Sequence, residues 1–364
     1  MKWLIRILGI LVIILLIGLV IGWLYIGSIT PNYNETRALE GLASDTEVLY
    51  DEYGVPHIYA DNNPDAYRTL GYVHAKDRLW QMEVIRRIAP GRLSEILGPA
   101  TIETDKFFRH LQMAKTTEQA VAHYQKTTSP ELQAFVEAYI DGVNTYIASD
   151  KTPIEYTILG LEKTPFDIYD IHNIMGYMAF SFAMAQKTEP VVSHIADQLG
   201  SAYLAALDIH VDTSTVMIKS HVSSELVDAL SATTNKIFEQ LPHPALIGSN
   251  SWVISGDRTA SGSVIFANDP HIGFAQPAVW YEAHIETPDI SIYGNHMAGY
   301  PFATMGHTAD WAVGLTMYEN DDIDFYKERV DPQNGSTYYH KGSWKAIDSS
   351  EEIIKVKGLS LIHI

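Results

Sequence analysis

From Ile7 to Asn34 the chain carries no charged residue, and Ile7 to Ile26 supplies about 20 apolar positions, enough to cross a hydrocarbon core of roughly 30 Å. A stretch of this kind is an export signal or a membrane anchor. Lys2 and Arg6 precede it, so the positive-inside tendency keeps the short N-terminus in the cytoplasm and exports the chain beyond the apolar run. The run is longer than the apolar core of a usual signal peptide, Trp23 and Tyr25 mark an interfacial belt, and no small-x-small cleavage site comes after it. We expect a retained single-pass anchor over residues 1–29, with the rest on the periplasmic or extracellular face.

The 364 residues are 46% hydrophobic, ample for a large core, so the remainder is globular and not disordered. A formal charge of −19 argues against nucleic acid, whose phosphates demand a basic face, and against docking to an anionic membrane surface by charge. With no cysteine there is no disulfide framework, no thiolate nucleophile and no cysteine-ligated zinc; the compartment stays open on this ground.

Thr30 to Glu40 reads as a linker, and Val48 to Tyr59 as a hairpin turning at Gly54 and Pro56. Asn63-Pro64-Asp65 opens a helix whose Ala66, Leu70, Val73, Leu79, Met82 and Ile85 recur at near-helical spacing and form a core face. Arg86, Arg87 and Arg92 read as a salt-bridged cluster against Asp77, Glu83 and Glu95. Ser129-Pro130-Glu131 starts a further helix with serine as cap, placing Leu132, Phe135, Val136, Tyr139, Ile140 and Val143 on one side. Tyr169 to Ala185 is a long apolar helix, and residues 212–247 are small, polar and spacer-like. Strands come next, at Ser251 to Ser255, Val264 to Ala267, Val279 to Glu286, Ile290 to Tyr293, Trp311 to Thr316 and Ile323 to Val330. Helices first and strands after predict an α+β fold with layered antiparallel sheets.

The chemistry gathers where that pattern changes. A serine released behind Gly248 would carry its own base, because an α-amino group titrates at about 7.7 to 8.0, close to where a general base works best. A hydroxyl paired with an N-terminal amine is an activated nucleophile. Taken alone, Gly248-Ser249 also reads as an ordinary turn before a strand. Its context is more specific. Ser249-Asn250-Ser251-Trp252, Gly256, Arg258-Thr259-Ala260-Ser261-Gly262 and Asn268-Asp269-Pro270-His271 resemble the β-chain opening of the penicillin acylase family of N-terminal nucleophile hydrolases. Asp51 to Ile58, Leu70 to Met82 and Arg86 to Gly98 resemble the family's α-chain opening, and Gly299-Tyr300-Pro301, Gly306-His307 and Trp311 to Asp324 its β-chain core.

The resemblance implies a four-layer αββα fold, behind a mainly helical α-chain region at 30–211 and a spacer at 212–248, with the β-chain starting at residue 249 and running to 364. It implies one precursor cut before Ser249 into an α/β heterodimer that hydrolyses a small-molecule N-acyl amide. Catalytic roles would fall to Ser249 as nucleophile, His271 as the orienter of its amine, and the backbone N–H of Met317 as an oxyanion donor. A structural calcium ion would be held by Asp321, Asp324, the carbonyl of Ile323 and Glu189, hard oxygen ligands of the kind calcium requires. Family members are longer, so a C-terminally incomplete chain is expected. Gly-x-Ser-x-Gly, Ser-x-x-Lys, P-loop and His-Glu-x-x-His patterns do not occur. The competing reading is a membrane-tethered, catalytically incompetent fragment with a binding or structural role.

Overall fold

The computed structural model of the chain describes residues 2–149, 151–182, 191–192, 194–196, 198–209, 232–239, 241, 246–316 and 328–359. It is a mixed fold of helices and sheets that divides into two units, one of residues 1–83, 121–171 and 280–311, the other of residues 84–120, 172–279 and 312–364.

The first unit begins with helix α1 (Lys2–Ile29). Within Trp3–Ile29 an 18-residue stretch reaches a mean hydropathy of 3.2 with none of it buried; among the described residues this helix is long and apolar enough to cross a membrane. Its C-terminal end is tied down: Tyr25 donates to Thr157 at 2.9 Å, and Lys151 Nζ donates to the carbonyl of Ser28 at 2.6 Å. A lysine there satisfies an orphan carbonyl and complements the negative end of the helix dipole.

The expected hairpin forms as β1 (Glu47–Tyr50) and β2 (Pro56–Tyr59), paired from Glu47 opposite Tyr59 to Tyr50 opposite Pro56. Gly54, at φ 77°, supplies the left-handed turn. The Asp51 carboxylate accepts the N–H groups of Val55 and Tyr53, both at 2.9 Å, which holds its pKa below the usual range. The hairpin does not stand alone. Strand β2 pairs in parallel with β5 (Trp280–Glu286), which pairs antiparallel with β6 (Ser291–Met297), which pairs antiparallel with β7 (Met305–His307). Residues on either side of Ser249 in sequence thus share one sheet.

Helix α2 (Asn63–Ile88) buries every one of its predicted core residues. Helix α6 (Pro130–Ile147) starts as expected, with the Ser129 side chain accepting from Leu132 N–H, and packs directly on α2. Their contact requires glycine on both sides: a Cβ on Gly71 would lie 2.0 Å from the Tyr139 carbonyl oxygen, and one on Gly142 1.9 Å from that of Arg68. Leu132, expected on the apolar side, is exposed in the first turn. Asp77 is also not where the arginine cluster needs it. Its carboxylate accepts from Tyr33 and Tyr281, each at 2.8 Å, and burial raises its pKa.

In the second unit Glu95 meets Arg87 and Arg92, as expected of the cluster. Helices α3 (Ser94–Leu97), α4 (Ile102–His110) and α5 (Met113–Thr127) lead on, and buried Asp105 accepts the N–H groups of Leu93 and Ser94, both at 2.8 Å. In the first unit lies α7 (Ile154–Leu159); α8 (Ile168–Phe182), the observed part of the predicted apolar helix, belongs from His172 onward to the second unit. Phe180 of α8 packs on Phe107, Phe108 and Phe238. The described strands of the second unit are β3 (Leu246–Ile254) against β4 (Ile265–Ile272), the short β8 (Ala312–Val313), and a three-stranded sheet in which β10 (Thr337–His340) lies between β9 (Arg329–Val330) and β11 (Ser343–Ala346).

Candidate functional site

The Gly248–Ser249 bond lies inside a strand and not ahead of one. β3 starts at Leu246 and runs through it, because β4 extends through Asn268-Asp269-Pro270-His271 and offers that stretch a partner. The ladder sets Gly248 opposite His271, Ser249 opposite Pro270, Asn250 opposite Asp269 and Ser251 opposite Asn268. Its register shifts between Leu246 and Gly248, a bulge immediately before the junction, where bulges typically re-aim a strand. Pro270 has no N–H to give the ladder beside Ser249.

Side chains alternate across the pleat, so two sets form. Gly248, Asn250, Asp269 and His271 share one face. There His271 Nε2 lies 3.3 Å from Asn250 Nδ2 and 3.1 Å from Asp269 Oδ2, and a Cβ on Gly248 would come 3.5 Å from His271 Nδ1. The His271 and Asp269 side chains are 49% and 73% exposed, so their pairing is a weak surface interaction. Ser249 belongs to the other face. Its Oγ donates to Thr316 Oγ1 at 3.0 Å, and Thr316 Oγ1 donates to the Ser249 carbonyl at 3.2 Å. The ladder brings Ser249 and His271 within one residue pair of each other, but on opposite faces of the pleat.

Asn268 joins this second set. Its Nδ2 donates to the carbonyls of Asn250 and Leu315 at 3.1 and 2.8 Å, and its Oδ1 accepts from Leu315 N–H at 3.1 Å. The sequence marked Asn268 as part of a motif and Thr316 as part of a strand and of the family-like stretch Trp311 to Asp324, but gave neither side chain a role; a contact between hydroxyls 67 residues apart leaves no local signature.

Met317, the candidate oxyanion donor, lies outside the described residues, as do Glu189, Asp321, Ile323 and Asp324. The calcium expectation is corrected. A calcium ion takes six to eight oxygen ligands gathered at one point, and among the described residues no group of three or more His, Cys, Asp or Glu is placed to hold a metal ion. On that finding we assign no calcium to this chain.

Three comparisons bear on what this site belongs to. An acyl-homoserine lactone acylase, QuiP, of Pseudomonas aeruginosa is 30% identical over 347 residues, covering 92% of this chain and 40% of that protein. A penicillin acylase 2 proenzyme of Pseudomonas sp. strain SE83 is 30% identical over 342 residues, covering 90% of this chain and 43% of its own length. The chain therefore spans about two-fifths of the length of the curated relatives it matches. A solved thermostable penicillin G acylase from Alcaligenes faecalis matches 49% of this chain and 98% of its own at 26% identity, with a TM-score of 0.36, too low for the overlay to bear on the fold. The family model for penicillin amidase matches residues 45–361, nearly everything C-terminal to α1, and on that match the chain belongs to the penicillin amidase family.

Proposed function

We propose that Ser249 is the nucleophile of a self-processing amidohydrolase acting on a small-molecule N-acyl amide of the penicillin, cephalosporin or acyl-homoserine lactone type. Family membership supports amide hydrolysis in general; the finer chemistry rests on Ser249 and its neighbours. In the continuous chain the Ser249 nitrogen is an amide and is no base. Self-cleavage changes that. Ser249 Oγ attacks the Gly248 carbonyl carbon, the C–N bond breaks as the C–O bond forms, and the hydroxyl proton ends on the departing nitrogen. Water then hydrolyses the ester, leaving a Gly248 carboxylate and a free Ser249 amine.

That amine titrates near neutral pH and can take the Ser249 proton as the hydroxyl attacks a substrate amide. It then protonates the leaving amine, and water releases the acid from the acyl-enzyme. His271 is assigned to orienting the amine and the Met317 N–H to holding the oxyanion, a donor typically worth 10²- to 10³-fold in rate. The proposal carries with it an αββα arrangement, an α-chain of residues 30–211, a spacer of 212–248, a β-chain from 249, and export behind α1.

The observation that carries the reading is the setting of the junction: one residue past a bulge, beside a proline without an N–H, with the serine hydroxyl already held on one face. The word proenzyme in one relative's name accords with processing. The test is intact mass and N-terminal sequencing of the protein expressed from its complete gene. A chain beginning at Ser249 is expected, and Ser249→Ala should stay whole; a junction elsewhere, or a cut Ser249→Ala protein, overturns the reading.

A further inference from the structure

In the uncut chain the Ser249 hydroxyl is already engaged. Its Oγ lies 3.0 Å from Thr316 Oγ1, which lies 3.2 Å from the Ser249 carbonyl oxygen. A hydroxyl has one proton and two lone pairs, so Thr316 can accept from Ser249 and donate to the carbonyl at once. The consequence falls on Ser249. Its proton is directed to Thr316, and the two contacts with Thr316 hold the residue at its side chain and at its carbonyl.

Thr316 is exposed and lies just past the two-residue strand β8, so its placement needs support. Asn268 supplies it. One amide side chain satisfies both backbone groups of Leu315, next to Thr316, and also the carbonyl of Asn250, next to Ser249. The complementary pattern, Oδ1 to an N–H and Nδ2 to two carbonyls, fixes the amide's orientation. Gly314 makes the approach possible: a Cβ there would lie 2.6 Å from both Asn268 Oδ1 and Phe266 Cζ.

The geometry points to Thr316 as a positioning residue for the first chemical step at the Gly248–Ser249 bond, with Asn268 as the clamp that holds it there. Thr316 forms no covalent bond and keeps its own proton; it sets the direction from which Ser249 Oγ reaches the Gly248 carbonyl. This rests on self-cleavage before Ser249, the function proposed for the chain.

The experiment tracks the appearance of the Ser249-terminated chain by intact mass after synthesis from the complete gene. Thr316→Val keeps the shape and removes the hydroxyl, and should slow cutting by roughly tenfold, the order expected from losing two neutral hydrogen bonds. Thr316→Ser should restore the parent rate, and Asn268→Ala should slow cutting as Thr316→Val does. In the Ser249→Ala background, where nothing is cut, Thr316→Val should move the thermal melt only by the small amount due to one exposed hydrogen bond to the residue-249 carbonyl. If Ser249→Ala is itself cut, self-cleavage by Ser249 is wrong and this inference goes with it. If Ser249→Ala stays whole but Thr316→Val is cut at the parent rate, or Thr316→Ser is as slow as Thr316→Val, only the positioning role is overturned.

Discussion

Lowering the pH from 7 towards 4 should destabilise the first unit through one buried histidine. His296 lies on β6 opposite Tyr281 with 2% of its surface exposed, and burial pushes its pKa from 6.5 down to about 4. A histidine depressed on folding is held neutral in the native state, while the unfolded chain takes up its proton first. Stability is therefore complete above pH 6.5 and is lost as the pH falls from 6.5 to about 4. At about 1.4 kcal/mol per pH unit, that window is worth roughly 3 kcal/mol. Hydrogen bonds to the backbone of Tyr281 and Gly294 favour the charged ring but do not offset its burial, and Nδ1 of His296 is buried without a hydrogen-bond partner. His74, whose ring lies 6.4 Å from that of His296, is pushed in the same direction by burial and then by His296 itself. The perturbation is His296→Asn, neutral at every pH, and the assay is the unfolding midpoint of parent and variant across the range. The variant loses packing at pH 7, but its curve should be flatter by about 3 kcal/mol between pH 6.5 and 4. Buried Asp77, whose raised pKa acts in the opposite sense, is common to both proteins and drops out of the difference. Parallel curves would refute the reasoning.

Gly142→Ala should force α2 and α6 apart and cost about 1–3 kcal/mol or more by overpacking, whereas Gly176→Ala, which meets only the end of the Met113 side chain at 3.4 Å, should be neutral or slightly stabilising in a thermal melt. Asp105→Ala strips the partners from the N–H groups of Leu93 and buried Ser94 and should lower stability by about 1–3 kcal/mol for each group left unpaired, read by urea denaturation. Removing residues 2–29 should shift the protein from the carbonate-resistant membrane pellet to the supernatant, and protease added outside intact cells should reach the parent; a cytoplasmic, soluble parent would remove both the anchor and the export.

What could be read in the sequence was whatever a short window dictates. The apolar run has few stable arrangements, α2 and α6 announce themselves by spacing and by caps, and Gly54 with Pro56 makes a hairpin from a dozen residues. What could not be read depends on partners. Nothing in the alternation of β2 says that it will pair in parallel with β5. The strand through the junction was missed because residues up to 247 looked like spacer, and only β4 makes them a ladder. Trp311 to Thr316 looked like one strand, but β8 stops at Val313, because the backbone of Leu315 spends both its polar groups on the Asn268 side chain. Asp77 drew arginines on paper and tyrosines in the fold, because its helix turn faces β5. The site shows the same division: Ser249 and His271 stand in a motif, whereas Thr316 acquires its place through Asn268.

The parallel ladder between β2 and β5 sets a schedule for synthesis. His57 and His284 face each other across it with their Nδ1 atoms 3.2 Å apart, yet they stand 227 residues apart in the chain. A ribosome adding about 5–20 residues per second needs roughly 10–45 seconds to deliver the second histidine after the first. Throughout that interval the β1–β2 hairpin is complete but has an open flank, a row of backbone donors and acceptors that any passing strand could match. During those seconds α1 has already left the ribosome, and in the membrane-anchored topology proposed for it the waiting edge would be held beside a bilayer, where crowding with the open edges of other newly made chains is limited to two dimensions.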